Sequence, residues 1–185
     1  MPTEQEILRR CQQGHAPSQE ALYRRHWSFA MSVCLRYAPS REDALEVAHD
    51  AFLKAFGALG AFDVSRPFRP WFRQILVRCA IDHQRAARSR RRIVESEADR
   101  SEAALPETSV PPDAPSSLEA DEILGLLREL PDTQRTVFNL YEVEGYSHDE
   151  IADLLGMATS ASRSNLARAK TRLRSLYLQQ IGALP

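Results

Sequence analysis

From Ala44 to Leu59 the apolar residues Ala44, Val47, Ala48, Ala51, Phe52, Ala55, Phe56 and Leu59 recur at alternating spacings of three and four. A helix stacks such positions on one face, whereas a strand would place every second residue there. The segment is therefore an amphipathic helix with one core-facing stripe. The rest of the chain follows the same rule, without a convincing alternating strand pattern. Thr3 and Glu6 have the spacing of a capping box, and Gly14 stops the first short helix. Ser18 is placed to cap a second helix carrying Leu22, His26, Phe29, Ala30, Val33 and Tyr37 on one face. Pro39 and Ser40 break the chain before the striped helix, and Gly57 and Gly60 mark its end. A loop over Gly60–Arg69 leads to Pro70 in the first turn of a fourth helix. That helix runs through Phe72, Ile75, Leu76, Cys79 and Ala80 into an arginine-rich tail.

Residues 93–117 interrupt this pattern. Acids, alanines and small polar residues surround Pro106, Pro111, Pro112 and Pro115, with little apolar periodicity, which predicts a flexible acidic linker over 93–120. The expected architecture is all-α, with helical domains over 1–92 and 121–185. In the second domain, helices are expected over Ile123–Leu130 and Gln134–Glu144, the latter ended by Gly145. Ser147 and Glu150 form another capping box, opening a short helix that ends at Gly156. A basic helix then begins near Ser160. Two helices joined by a tight glycine turn, the second one basic, make a helix-turn-helix.

Charge supports this division. The net formal charge of −1 conceals a balance of +7 over residues 1–92 and −8 over 93–122. Residues 123–185 are neutral in sum, yet Arg163–Arg174 holds five basic residues and no acid. The acidic linker follows directly on Arg85, Arg88, Arg90, Arg91 and Arg92, and reads either as a partial electrostatic screen of that tail or as a solvated spacer that happens to be acidic. No apolar run is long enough to cross a bilayer, and Met1-Pro2-Thr3-Glu4 lacks the blocks of a signal peptide, so a cytoplasmic protein is expected. Three cysteines, Cys11, Cys34 and Cys79, without a CxxC pair do not make a disulfide framework.

Two constellations point to nucleic acid. In the basic helix, Arg163, Arg168, Lys170, Arg172 and Arg174 give a positive surface, and side chains of the first turns can reach base edges in a major groove. Between Phe62 and Arg92, Phe68, Trp71 and Phe72 alternate with Arg66, Arg69 and Arg73. Arginines neutralise phosphates and aromatic faces stack on unpaired bases. Against this, Phe72 and Trp71 at helical spacing also suit a core. A third face, with Arg41, Glu42, Asp43, Glu46, His49, Asp50 and Lys54, reads on its own as a solvated helix surface.

The residues Arg41–Phe56 (REDALEVAHDAFLKAF), Phe68-Arg69-Pro70-Trp71-Phe72 and Ala80-Ile81-Asp82 resemble region 2 of the extracytoplasmic-function group of bacterial sigma factors. Leu130-Pro131, Gln134-Arg135, Glu144–Ser147, Glu150-Ile151-Ala152 and Leu155-Gly156-Met157 resemble region 4 of that group. The resemblance covers about residues 18–92 and 121–178. It implies a non-enzymatic subunit, without cofactor or metal, that directs core RNA polymerase to promoter DNA. The face carrying Asp43, Glu46, His49, Asp50 and Phe52 would dock on the polymerase. Phe68, Arg69, Trp71, Arg73, Gln74, Arg78, Arg85 and Arg88 would recognise and melt the −10 element. Thr159, Ser160, Ser162, Arg163, Ser164, Asn165, Arg168 and Lys170 would read the −35 element. The resemblance also implies an anti-sigma partner, a monomer when free, and no direct membrane insertion.

The chain departs from the group's usual residues at Arg78 (commonly Asn), His49 (commonly Gln), Asn165 (commonly Arg or Gln) and Ala158 (commonly Ser). With alanine at 158, Thr159 or Ser160 is expected to cap the basic helix. Two other readings compete. Cys11–His15 and Cys79–His83 each place sulfur and imidazole one helical turn apart, as in half a zinc site of a metal-dependent nuclease. No third ligand suggests itself for either pair. A conventional helix-turn-helix regulator accounts for the C-terminus but leaves the aromatic and arginine segment without a role.

Overall fold

The computed structural model describes residues 2–97 and 118–182. Its helices are α1 (Glu4–Gln12), α2 (Ala16–Tyr37), α3 (Arg41–Ala58), α4 (Phe68–Glu97), α5 (Leu118–Arg128), α6 (Asp132–Phe138), α7 (His148–Leu155) and α8 (Thr159–Gly182). A single 3₁₀ turn, Leu59–Ala61, follows α3, and a π turn, Asn139–Val143, continues α6. No strand occurs among the described residues, as an all-α fold requires.

Local signals set most helix ends. Thr3 accepts from the Glu6 N–H while Glu6 reaches back to the Thr3 N–H at 2.8 Å, completing the first capping box. Ser147 and Glu150 do the same for α7. The Ser40 hydroxyl accepts from the Asp43 N–H at 3.0 Å to open α3. Ser18 is not a cap. The chain is already helical from Ala16, with Pro17 in the first turn, and the Ser18 hydroxyl lies 2.8 Å from His15 Nδ1. The fourth helix also runs further than expected, to Glu97, and α5 begins at Leu118, so helix replaces both ends of the expected linker. The remaining linker residues, 98–117, lie outside the described residues.

The stripe of α3 is buried as its spacing demands, with Ala44, Ala48 and Ala51 fully enclosed between α2 and α4. Leu22, Val33 and Tyr37 of α2 and Phe68, Phe72 and Leu76 of α4 complete this core. Phe68 stacks on Phe72 at 5.2 Å, and Phe72 meets Phe52 at 4.7 Å between ring centroids. Val137, Leu140 and Ile151 of the second helical domain join the same apolar cluster. The two domains therefore pack directly on one another.

Polar groups define that contact. The last carbonyls of α2 have no partner within their own helix, a general property of helix C-termini. Asn139 Nδ2 donates to the Arg36 carbonyl at 2.7 Å, and Gln84 Nε2 and Arg135 Nε donate to the Tyr37 carbonyl. Thr136 Oγ1 donates to Gln84 Oε1 at 2.7 Å, tying α6 to α4. Arg135 is 1% exposed, and burial pushes its guanidinium below the usual arginine range, against the opposing pull of Asp132 at 2.8 Å.

Candidate nucleic-acid and polymerase interfaces

The basic helix α8 is set by the turn before it. Gly156 adopts φ +66°, the left-handed conformation that glycine enters without a Cβ clash, and turns the chain between α7 and α8. Leu166 and Ala169 are buried and hold α8 against its neighbours, which leaves Ser160, Arg163, Ser164 and Arg168 exposed. These four lie accessible at the helix surface. Ser162 does not: it is fully buried, with its hydroxyl 2.9 Å from His148 Nδ1, so it locks α8 to α7 and cannot touch DNA. Asn165 is half-buried and donates to the Ala161 carbonyl at 2.8 Å. Lys170 pairs with Glu142 at 2.6 Å. No side chain of Thr159 or Ser160 caps this helix. Ala158 offers its carbonyl to the first turn, and the Thr159 hydroxyl bonds Asp149 at 2.9 Å instead.

On α4 the aromatic and arginine residues separate into two groups. Phe68 and Phe72 are 1% and 0% exposed, so Phe68 is a core residue and is not free to stack on a base. The first turn must bury one ring against α2, and Phe68 meets buried His26 there at 4.8 Å. Trp71 is only partly buried, and it packs on Phe62 at 4.6 Å. Together with Asp63, Arg66, Pro67, Pro70 and Gln74, these two rings line a cavity of about 600 Å³. Ser65 donates from both its N–H and its hydroxyl to Asp63, fixing the loop over that cavity and holding the Asp63 carboxyl below its ordinary range. Arg69 and Arg73 lie over the Phe29 ring at 5.4 and 5.6 Å, a cation–π arrangement in which Arg69 is exposed and Arg73 is half-buried against the Glu144 carboxylate. Gln74 and Arg78 are exposed. Arg85 donates to the Leu154 carbonyl and Arg88 to Thr133 Oγ1 at 2.9 Å, so both bridge to the second domain.

The outer face of α3 carries Glu46, His49 and Asp50 exposed and Asp43 half-buried. His49 stacks on Trp27 at 5.3 Å and lies 3.1 Å from the Tyr23 hydroxyl, which gives this ridge a rigid aromatic support. Phe52 is 2% exposed and belongs to the core, as its place in the apolar stripe requires. A residue that the sequence reading did not single out on this face is Leu53, 71% exposed one turn beyond Asp50. Its signal was an apolar side chain outside the three-and-four spacing of the stripe. A single exposed leucine is ordinary on a protein surface, and Leu53 is notable only for its place beside the charged ridge of α3.

Among the described residues, Asp43, Glu46 and His83 bring their ligand atoms within 4.8 Å of one another and are the group best able to hold a cation. His83 Nε2 already pairs with Asp43 Oδ1 at 3.1 Å, and Ser40 engages the other Asp43 oxygen. Among the described residues, neither cysteine–histidine pair gathers a third ligand around it. Cys11, Cys34 and Cys79 are all buried, and burial pushes the Cys34 thiol up to about 12, so it stays protonated and unreactive.

Comparison with known proteins follows the same two units. The family model described as Sigma-70 region 2 matches residues 22–90, and that described as Sigma-70, region 4 matches residues 120–173. The ECF RNA polymerase sigma-E factor of Escherichia coli (strain K12) is 30% identical over 174 residues, covering 91% of this chain and 91% of that protein. A probable RNA polymerase sigma factor, RfaY, of Xanthomonas campestris pv. campestris is 30% identical over 173 residues. Those residues cover 92% of this chain but 42% of RfaY, so the chain spans less than half of that relative. The co-crystal structure of the sigma factor RpoE with the anti-sigma factor NepR from Bartonella quintana matches in fold. Its TM-score is 0.56 at 20% identity, over 85% of this chain and 95% of the solved one.

Proposed function

The chain belongs to the extracytoplasmic-function group of sigma factors, which direct promoter-specific transcription initiation, and we propose that it divides this task among three separate surfaces. The α3 ridge of Asp43, Glu46, His49 and Asp50, with Leu53 as its apolar centre, docks on core RNA polymerase. The match of residues 22–90 to Sigma-70 region 2 supports this placement, and the exposed Leu53 offers one apolar contact among the charged side chains. Arg69, Arg73 and Arg78 hold the backbone of the −10 element, while Trp71, Gln74 and the cavity beside them accept a base extruded from the stack. Such a base is bound by an aromatic wall and a few hydrogen-bonding groups, as here. Ser160, Arg163, Ser164 and Arg168 read the −35 element from the major groove. The protein supplies binding and strand separation rather than covalent catalysis, and acts in the cytoplasm with an anti-sigma partner.

The observation that carries this reading is the Trp71 cavity beside a row of surface arginines, in a chain that also has a helix-turn-helix. A duplex-binding regulator needs only the second. Electrophoretic mobility shift on promoter DNA, with and without core polymerase, separates the two. A sigma factor shifts the duplex strongly only with core enzyme, and Arg163→Ala or Arg168→Ala then weakens the complex by about 1–3 kcal/mol. Equally tight binding by the protein alone would identify a regulator instead.

A further inference from the structure

Glu144 is the most enclosed carboxylate at the contact between the two domains: its side chain is 3% exposed. It stands at the end of the π turn, directly before Gly145, whose φ of +78° sends the chain away toward α7. One carboxylate oxygen accepts from Arg36 Nη2 at 3.1 Å, and the other lies 3.4 Å from Arg73 Nη1. The two arginines come from different helices of the first domain, α2 and α4. Among the described residues, neither has another acidic partner. Arg73 lies one helical turn from Arg69, and both guanidinium groups cover the same Phe29 ring. Arg36 thus extends the arginine row assigned above to the DNA backbone, although nothing in its sequence context marked it.

A carboxylate that gives one oxygen to each of two guanidinium groups uses them as two non-bridging oxygens of a phosphate would. Without Glu144, two adjacent cations, Arg36 with its side chain 20% exposed and Arg73 with 38%, would have no countercharge among the described residues. We propose that Arg36 and Arg73 form a clamp for a nucleic-acid backbone phosphate, and that Glu144 fills this clamp while the domains are packed together. Glu144 is then an intramolecular competitor of DNA, and separating the domains uncovers the clamp. The contact carries polar groups beside the apolar Val137, Leu140 and Ile151, and of these Asn139, Arg135, Gln84 and the α2 carbonyls can be rehydrated on separation. This inference rests on the promoter-binding role of Arg69 and Arg73.

The two sides of the ion pair make the test decisive. The free full-length chain is titrated against a fluorescein-labelled single-stranded 12-mer by fluorescence anisotropy across a potassium chloride series. Glu144→Gln should bind roughly tenfold tighter than the unaltered chain at low salt. Arg36→Ala breaks the same pair but removes a phosphate ligand, so it should bind no tighter than the unaltered chain. The double variant should lose most of the Glu144→Gln gain, and its salt slope should be shallower than that of Glu144→Gln by about 0.7, one phosphate contact on a single strand. Tightening by both single variants would mean that Arg36 only ties the domains together, and would overturn the clamp. Unchanged affinity of Glu144→Gln, with helix content intact by circular dichroism, would overturn it as well. Should the Gln variant lose helix, Glu144→Asp withdraws the carboxylate while keeping its charge; tighter binding supports the clamp, and unaltered affinity refutes it. Transcription with core polymerase is measured in parallel on the unaltered chain. Its failure would overturn the sigma reading, whereas the order of variant affinities speaks to the clamp alone.

Discussion

Arg135 of α6 donates its Nε–H to the main-chain carbonyl of Tyr37 at 3.1 Å, so a buried guanidinium of the second domain completes the C-terminus of a helix in the first. The same side chain holds Asp132 at 2.8 Å through Nη2. Arg135→Ala removes both charge-assisted bonds, of which the one to the Tyr37 carbonyl crosses between the domains, and should weaken domain packing by about 2 kcal/mol. Urea unfolding followed by circular dichroism should change from one transition to two as the domains uncouple. A single transition with an unaltered midpoint would show that Arg135 contributes nothing to the contact.

Two glycines should respond to the same substitution with opposite sign. An added Cβ meets nothing within 4 Å at either Gly57 or Gly156, so backbone conformation alone decides. Gly57 lies inside α3 with an ordinary φ, and Gly57→Ala should stabilise by about 0.5 kcal/mol through the unfolded chain. Gly156 sits at φ +66°, and Gly156→Ala should cost about 1 kcal/mol and disturb the turn that aims α8. Chemical denaturation of the two variants measures both signs.

Trp71 and Phe68 should separate strand opening from folding. Trp71 borders the cavity, so Trp71→Ala should reduce permanganate reactivity of thymines in the −10 region while the polymerase–promoter complex still forms. Phe68 is 1% exposed, and Phe68→Ala should cost about 4 kcal/mol of stability whatever the DNA does. Normal thymine reactivity with folded Trp71→Ala protein would remove Trp71 from the melting step.

His26 gives the first domain a pH dependence. Its ring is fully buried against Phe68, with Glu4 3.0 Å from Nε2. Its pKa lies below the ordinary imidazole value: burial is the largest cause, Glu4 pulls the other way, and Arg69 and Arg25 add to the lowering. The unfolded chain therefore takes up a proton at a pH where the folded chain does not. Stability contributed by neutral His26 is complete above the ordinary imidazole pKa. It falls as pH drops below that value, until the folded pKa is reached. The melting temperature should fall between pH 7.5 and 5.5, and His26→Gln should flatten that part of the curve. Equal slopes for the two proteins would refute the assignment.

The helices were legible because their signals are local. The α3 stripe, both capping boxes and the Gly156 turn each depend on residues within a few positions. The exposure of the candidate site residues was legible only where it follows from helical phase. Arg163, Arg168 and Asp50 lie off the apolar stripes and are exposed, whereas Phe52 lies on one and was misplaced by reliance on resemblance. Phe68 and Ser162 were misplaced for a different reason, since their burial depends on His26 and His148, 42 and 14 positions away. The domain contact was invisible in the sequence. Arg36 and Glu144 are 108 positions apart, and surface charges so distant carry no mark of each other.

Transcription in vitro from a genomic fragment library, using purified core RNA polymerase with and without this chain, tests the central claim most directly. New start sites should appear only when both proteins are present, each preceded by one shared −10 and one shared −35 sequence at a fixed spacing. Substituting Leu53→Asp on the α3 ridge should abolish all of them together, while Arg163→Ala should weaken those most dependent on the −35 sequence. No start sites beyond those of core enzyme alone, or start sites without a shared upstream sequence, would contradict the account.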